Sequence, residues 1–180
     1  LRGTSSEAMS VSVKWDGAPA VVCGTNPDNG KFFVGTKSVF AKNAKINYTK
    51  KDIANNHGTD DRGQKLLKCL VHLKKLKIKK GVQGNLRFND EDITRKNISG
   101  KPHLTFTPNT ITYAVPEGGD LSKQIDRAKV GIIFHTTYVG EGLADMNAQG
   151  GADISGFTQS PDVFFDNATY KDVSGSAKFT

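Results

Sequence analysis

Along Ser10–Lys14, Val11 and Val13 alternate with Ser10, Ser12 and Lys14, the period-two pattern of a half-buried strand. Asp16-Gly17 punctuates that run, Ala20 to Cys23 resumes it, and NPDNG at 26–30 supplies a cluster of turn residues. KFFVGTKSVF, at 31–40, reads as the next strand, with Gly35 as a candidate bulge. The pattern then changes period. Leu66, Leu67, Leu70, Val71, Leu73 and Leu76 recur at helical spacing and predict a helix over 61–80, capped by Asp60 or Asp61 and stopped by Gly81.

VQGNLRF (82–88) predicts a short strand, NDEDITRKNISGKP a polar loop, and HLTFTPNTITYAV two strands broken at Pro108-Asn109. LSKQIDRA predicts a short helix opened by Asp120, and KVGIIFHTTYV (129–139) a buried strand bounded by Gly140. Beyond Gly140, GADISGF reads as loop and DVFFD as a strand. The sum is an α+β domain with mostly antiparallel sheets and flanking helices, a single unit over 1–180.

Composition narrows the class. The 180 residues are 36% hydrophobic and 24% charged, a globular balance for one domain of ordinary size. No apolar run approaches the ~18–20 residues of a membrane span, and no signal peptide opens the chain. Both ends read as cut: LRGTSSEAMS has no initiating Met and SGSAKFT offers no closing element. Cys23 and Cys69 form no CxxC pair or Cys/His cluster, which argues against zinc and for two reduced thiols in an intracellular protein.

The net charge of +7 is local. Eight bases and no acid lie between Arg62 and Lys80, and the rest of the chain has 17 bases against 18 acids. Lys65, Lys68, Lys74 and Lys75 on the basic helix are therefore candidates for nucleic-acid contact, with a solvated helix face as the plain alternative.

SVSVKWDGAPAVVCG carries Lys14, Asp16 and Gly17 in the spacing K-x-D-G, too short a motif to assign a function alone. Further elements follow in order. FFVGTKSVF has Lys37 and Ser38 some twenty residues on, VQGNLRF has Gly84 and Leu86 around Asn85, and FHTTYVGEGL has Phe134, Tyr138 and Gly140-Glu141. Together they resemble the covalent nucleotidyltransferases: ATP-dependent DNA ligases, RNA ligases and mRNA-capping enzymes. KWDGAPAVV, FFVGTKSVF and VGIIFHTTY are also similar to an uncharacterised family of phage-type proteins with a ligase-like core. The resemblance spans about residues 7 to 145.

That resemblance implies a ligase-type adenylation fold, of which this chain would be the N-terminal portion, and ATP and Mg²⁺ as cofactors. Lys14 would be the nucleophile that takes AMP, Asp16 its orienter, and Gly17 the tight turn that lets backbone approach the nucleotide. Lys37 would contact phosphate, Asn85 the ribose, and Phe134 would stack on the purine. Nucleic acid would be the partner, and the setting cytoplasmic, in the host cytoplasm if phage-encoded. The sequence departs from the pattern where Asn85 replaces an acid, where Pro19 stands for an Arg, and where Ser12 and Val13 precede Lys14 without a carboxylate. An E-G-x-V strand followed by K-x-K is missing between Gly140 and Thr180.

Each role has a plain alternative. Lys14 reads equally as a strand-end surface lysine, Lys37 as another surface lysine, and Phe134 as core, the default for an aromatic in an apolar strand. Trp15 points away from Lys14 and reads as core. His135 has no Ser, Cys or acid placed for a triad, and His57, His72 and His103 share no ligand spacing. A non-catalytic nucleic-acid-binding or virion-associated protein that keeps the fold is the second expectation, and a capping-type guanylyltransferase the third.

Overall fold

The computed structural model describes residues 19–168. Its centre is a six-stranded sheet of order β2-β1-β3-β7-β8, with β9 alongside β7. The strands are β1 (Ala20–Thr25), β2 (Phe32–Gly35), β3 (Gly81–Asn89), β7 (Val130–Val139), β8 (Asn147–Gly150) and β9 (Val163–Asn167). All pairs are antiparallel except β7 with β9. A second sheet joins β4 (Thr94–Ile98), β5 (Lys101–Phe106) and β6 (Tyr113–Pro116). The observed class is α+β with mostly antiparallel sheets, as the sequence pattern predicts.

Two helices, α1 (Lys50–His57) and α2 (Asp61–Leu73), cover one face of the central sheet. The stripe of α2 is what docks it: Leu66, Cys69, Leu70 and Leu73 are buried against Val21 and Cys23 of β1, Val82 and Leu86 of β3, and Ile132 and Phe134 of β7. Each fully buried Leu contributes about 1.5–3 kcal/mol through removal of apolar surface from water. Val71, off the stripe, is exposed. The start of α1 is set by a reciprocal cap. Thr49 Oγ1 accepts from Asp52 N, and Asp52 Oδ2 accepts from Thr49 N, both at 3.1 Å, an arrangement that stabilises a helix start by about 1 kcal/mol.

The opposite face carries two separate apolar clusters. Val22, Phe33, Val39, Tyr138 and Leu143 form one. Phe88, Leu104, Ile125 and Ala128 form the other, joining the central sheet to β5 and to α3 (Asp120–Arg127). Polar side chains of β3 and β7 occupy the strip between them.

The structure corrects several element boundaries. The strand expected over 31–40 ends at Gly35, because Thr36 caps a 3-10 turn at Lys37–Phe40, its Oγ1 accepting from Ser38 N at 3.2 Å. Gly35 pairs in register with Val22 and forms no bulge; a Cβ there would stand 2.5 Å from Val39 Cγ1. The helix expected to reach Lys80 gives way at Leu73 to a 3-10 turn through Leu76, closed by Lys77 in the left-handed conformation (φ 53°). Gly81 therefore opens β3 instead of ending a helix. The polar loop expected at 89–102 contains β4, whose five residues are all exposed and so carry no alternation for a sequence reading to find. Ser99 (φ 52°) and Gly100 (φ 79°) turn it into β5, the double positive φ that matches strand twist in a tight hairpin. The strand expected at 10–14 lies outside the described residues.

Candidate functional site

The geometry of the site begins with the β3–β7 register. Gln83 lies opposite Thr136 and Gly84 opposite Phe134, so His135 is one residue extra on β7, a β-bulge. Gly84 is required there, since a Cβ would meet the Ile133 carbonyl oxygen at 2.7 Å and Ile132 Cγ1 at 2.9 Å. The bulge reverses the alternation of β7. Ile132 and Phe134 face the helices, whereas Tyr138 faces the other side, where its hydroxyl donates to Gln83 Oε1 at 2.6 Å. His135 Nδ1 sits 2.8 Å from Thr136 Oγ1. A second irregularity leaves Arg87 as the extra residue on β3, between Leu86 and Phe88.

On the face away from the helices, Asn85 follows Gln83 by alternation and is half-buried. Arg87 Nη1 reaches the Tyr113 hydroxyl at 3.4 Å, and its guanidinium carbon lies 5.7 Å from the centre of that ring. His135 is held below the ordinary imidazole range by burial first, and then by the positive charges of Lys37 and Arg87. It is thus a neutral imidazole beside two cations, a field that favours an anionic ligand. Asp166 of β9 is in register with Ile133, which is itself opposite Asn85, and by the alternation of Phe164 and Phe165 it shares this face. Arg87, His135 and Asp166 were not assigned here by sequence reasoning. Only the two strand irregularities and the β7–β9 pairing reveal them.

Lys37 and Asn85 are therefore brought to the same region. Phe134 is not. It is fully buried on the helix side, packed edge-on to Phe157 with centroids 5.4 Å apart at 90° and to Phe165 at 6.4 Å. The described chain enters at this same place: the Pro19 carbonyl accepts from Leu86 N at 2.7 Å, and Ala20 pairs with Asn85. Lys14, Asp16 and Gly17 lie outside the described residues, as do Ser12, Val13 and Trp15.

The basic helix is less cationic than its sequence. Lys65 is 3.3 Å from Asp61, Lys68 bridges Asp90 at 2.6 Å and Glu91 at 2.5 Å, and Lys75 reaches Asp162 at 2.5 Å. Burial pulls the Lys68 ammonium down, but its bonds to Asp90 and Glu91 raise it overall. Lys74 is exposed, with no ion-pair partner shown among the described residues.

Among the described residues no group of three or more His, Cys, Asp or Glu could hold a metal ion. The amide of Asn85 is a weaker metal donor than a carboxylate, and Asp166 stands a full strand further away. These residues do not fit a protein-held Mg²⁺. Both cysteines are fully buried, which pushes the Cys69 thiol up to about 12 and Cys23 higher still; neither is poised as a nucleophile. No helix among the described residues is long and apolar enough to cross a membrane.

No curated protein and no solved structure matches the chain. A family described as Family of unknown function (DUF6267) matches over residues 1–180, and the chain belongs to that family.

Proposed function

We propose that the protein is a ligase-like nucleotidyltransferase that forms a covalent lysine–AMP intermediate on Lys14. The observation that carries this reading is the position at which β1 begins. Ala20 pairs with Asn85, so the described chain begins beside Asn85, on the sheet that also carries Arg87 and His135, and the K-x-D-G stretch ends two residues before Pro19 in the sequence. Gly17 stands two residues before Pro19 and Lys14 five, a reach of at most ~3.6 Å per residue.

In this reading the Lys14 amine attacks the α-phosphorus of ATP. A nitrogen–phosphorus bond forms, the bond to the pyrophosphate oxygen breaks, and the amine proton leaves to solvent. Lys37 and Arg87 supply positive charge for the phosphates and would lower the pKa of a neighbouring amine, which needs a free lone pair to react. Neutral His135 can hydrogen-bond phosphate oxygen without adding charge, and Asn85 offers both a donor and an acceptor to ribose hydroxyls. The resemblance assigns base stacking to Phe134; with that ring in the core, Ile133 is the β7 residue directly opposite Asn85.

The test is to incubate the full-length protein with α-labelled ATP and Mg²⁺ and look for label that survives denaturation. Label on the wild type, lost in Lys14→Ala, is the expected result. Label from GTP and not ATP would turn the reading to capping-type chemistry, and no label from either would overturn it.

A further inference from the structure

On the helix side of the sheet, past the end of α2, lies an open cleft of about 1170 Å³. It follows from the bulge at His135. Beyond that point β7 turns Thr137 and Val139 toward the helix side, but α2 has already ended at Leu73 and does not cover them. Val82 beneath them is nearly fully buried, whereas Val139 is left 40% exposed. The far wall is β8 with the segment after it, including Gly151, Gly156 and Phe157.

The near wall is made by Lys77, Lys79 and Lys80, all exposed. They differ from Lys65, Lys68 and Lys75 of the same basic segment, which are held by Asp61, Asp90, Glu91 and Asp162. Among the described residues no ion pair within 4.0 Å involves the three cleft lysines, though Lys80 is near enough to Asp153 to add to the lowering of its carboxyl by Ser155. Asp153 also lines the cleft, with Oδ1 accepting from Ser155 N at 3.0 Å and Ser155 Oγ at 2.7 Å. Three cations against one engaged carboxylate leave the cleft net positive.

We infer that this cleft binds single-stranded nucleic acid, with Lys77, Lys79 and Lys80 on the phosphate backbone and Val139 and Phe157 against the bases. A positively charged groove with an aromatic side chain for bases to stack on is the combination that unpaired strands use, and half-buried Phe157 is the aromatic that lines this cleft. The cleft is larger than the ~300–1,000 Å³ of ordinary small-molecule sites. A stiff duplex presents only its phosphates and leaves Val139 and Phe157 unused. The inference does not depend on lysine adenylation, since the cleft lysines lie on the helix side and binding needs no ATP; His135, at the bulge, borders both regions.

The experiment is fluorescence anisotropy with labelled oligothymidylate and a duplex of equal length, without nucleotide, over a range of salt. The variant Lys77→Asn, Lys79→Gln, Lys80→Gln keeps a residue tolerant of the left-handed backbone at 77. It is expected to bind the single strand at least roughly tenfold more weakly, and its log K–log salt slope to be shallower by about 2. Lys96→Gln, Lys101→Gln, Lys123→Gln removes the same charge from exposed positions elsewhere and is expected to bind as wild type does. Circular dichroism and thermal melting confirm that both variants fold. Absence of single-strand binding by the wild type, equal or tighter binding of the duplex, or equal loss in both variants overturns the inference.

Discussion

Asn85 of β3 lies opposite Ile133 of β7, and Gly84 lies opposite Phe134. One position of register separates the residue directly opposite Asn85 from one buried against the helices. Phe134 is thus a core residue whose loss is felt in stability. Phe134→Ala is expected to cost about 3–5 kcal/mol, the usual range for emptying a buried aromatic site, read as a fall in the urea midpoint. Ile133→Ala, on the half-exposed face, is expected to cost clearly less while weakening retention of ATP label.

Gly84 permits the close approach of β7 at the bulge. Gly84→Ala places a methyl 2.7 Å from the Ile133 carbonyl oxygen, a backbone atom that cannot swing aside. The expected cost is about 1–3 kcal/mol, as for other overpacked interiors. Chemical denaturation of the variant measures it directly.

Arg87 tests the polar face separately from the fold. Arg87→Gln is expected to slow adenylate labelling about tenfold or more, the loss of one charge-assisted contact worth about 1.5–3 kcal/mol. The melting temperature is the control: a fall in labelling that merely follows unfolding would assign Arg87 a structural role.

Three histidines predict the acid limb of stability. His57, His72 and His135 are each held below the ordinary imidazole value, by burial first and then by neighbouring cations (Arg62 and Lys45 for His57, Lys75 for His72). As pH falls below about 6.5 the unfolded chain takes up these protons before the folded one. Their contribution is therefore full above that pH and is lost as pH falls below it. Both ring nitrogens of His57 are buried without a hydrogen-bond partner among the described residues. His57→Leu is expected to hold or raise stability by about 1 kcal/mol at pH 7.5, since it removes an unpaired polar group. It should also flatten the decline between pH 7.5 and 5.5, measured by urea midpoints at each pH. Burial raises the Asp90 carboxyl but its contacts with Lys68 lower it overall, and the bond to Lys75 lowers Asp162 against a smaller opposing effect of burial; both add a second loss near and below pH 4.

Cys23 and Cys69 are fully buried with raised pKa values. Both are expected to resist an aromatic disulfide reagent in the native protein and to react in 6 M guanidinium. Fast labelling of either under native conditions would show that the helix–sheet core opens.

Much of the fold was legible along the chain because burial leaves a period. The stripe of α2, the alternation in β1 and the apolar run of β7 each report one face against one core. β4 and β8 left no such trace, because every residue in them is exposed and backbone pairing alone makes them strands. The start of α1 did carry a signal in Thr49 and Asp52, a cap with its reciprocal acid three residues on.

The sequence by itself determined the α+β class, the positions of the main strands along the chain and the helical stripe that docks on them. These follow from hydrophobic periodicity, a local property. Tertiary structure alone decided which side chains share a site. Two single-residue irregularities, at His135 and Arg87, shift side chains between faces of the sheet, and a count of residues along one strand does not reveal them. The same is true of charge. Lys65, Lys68 and Lys75 look like part of one cationic run until Asp90, Glu91 and Asp162 fold back onto the helix, leaving Lys77, Lys79 and Lys80 to face the cleft. A Coulomb interaction depends on distance in space, and the sequence records only distance along the chain.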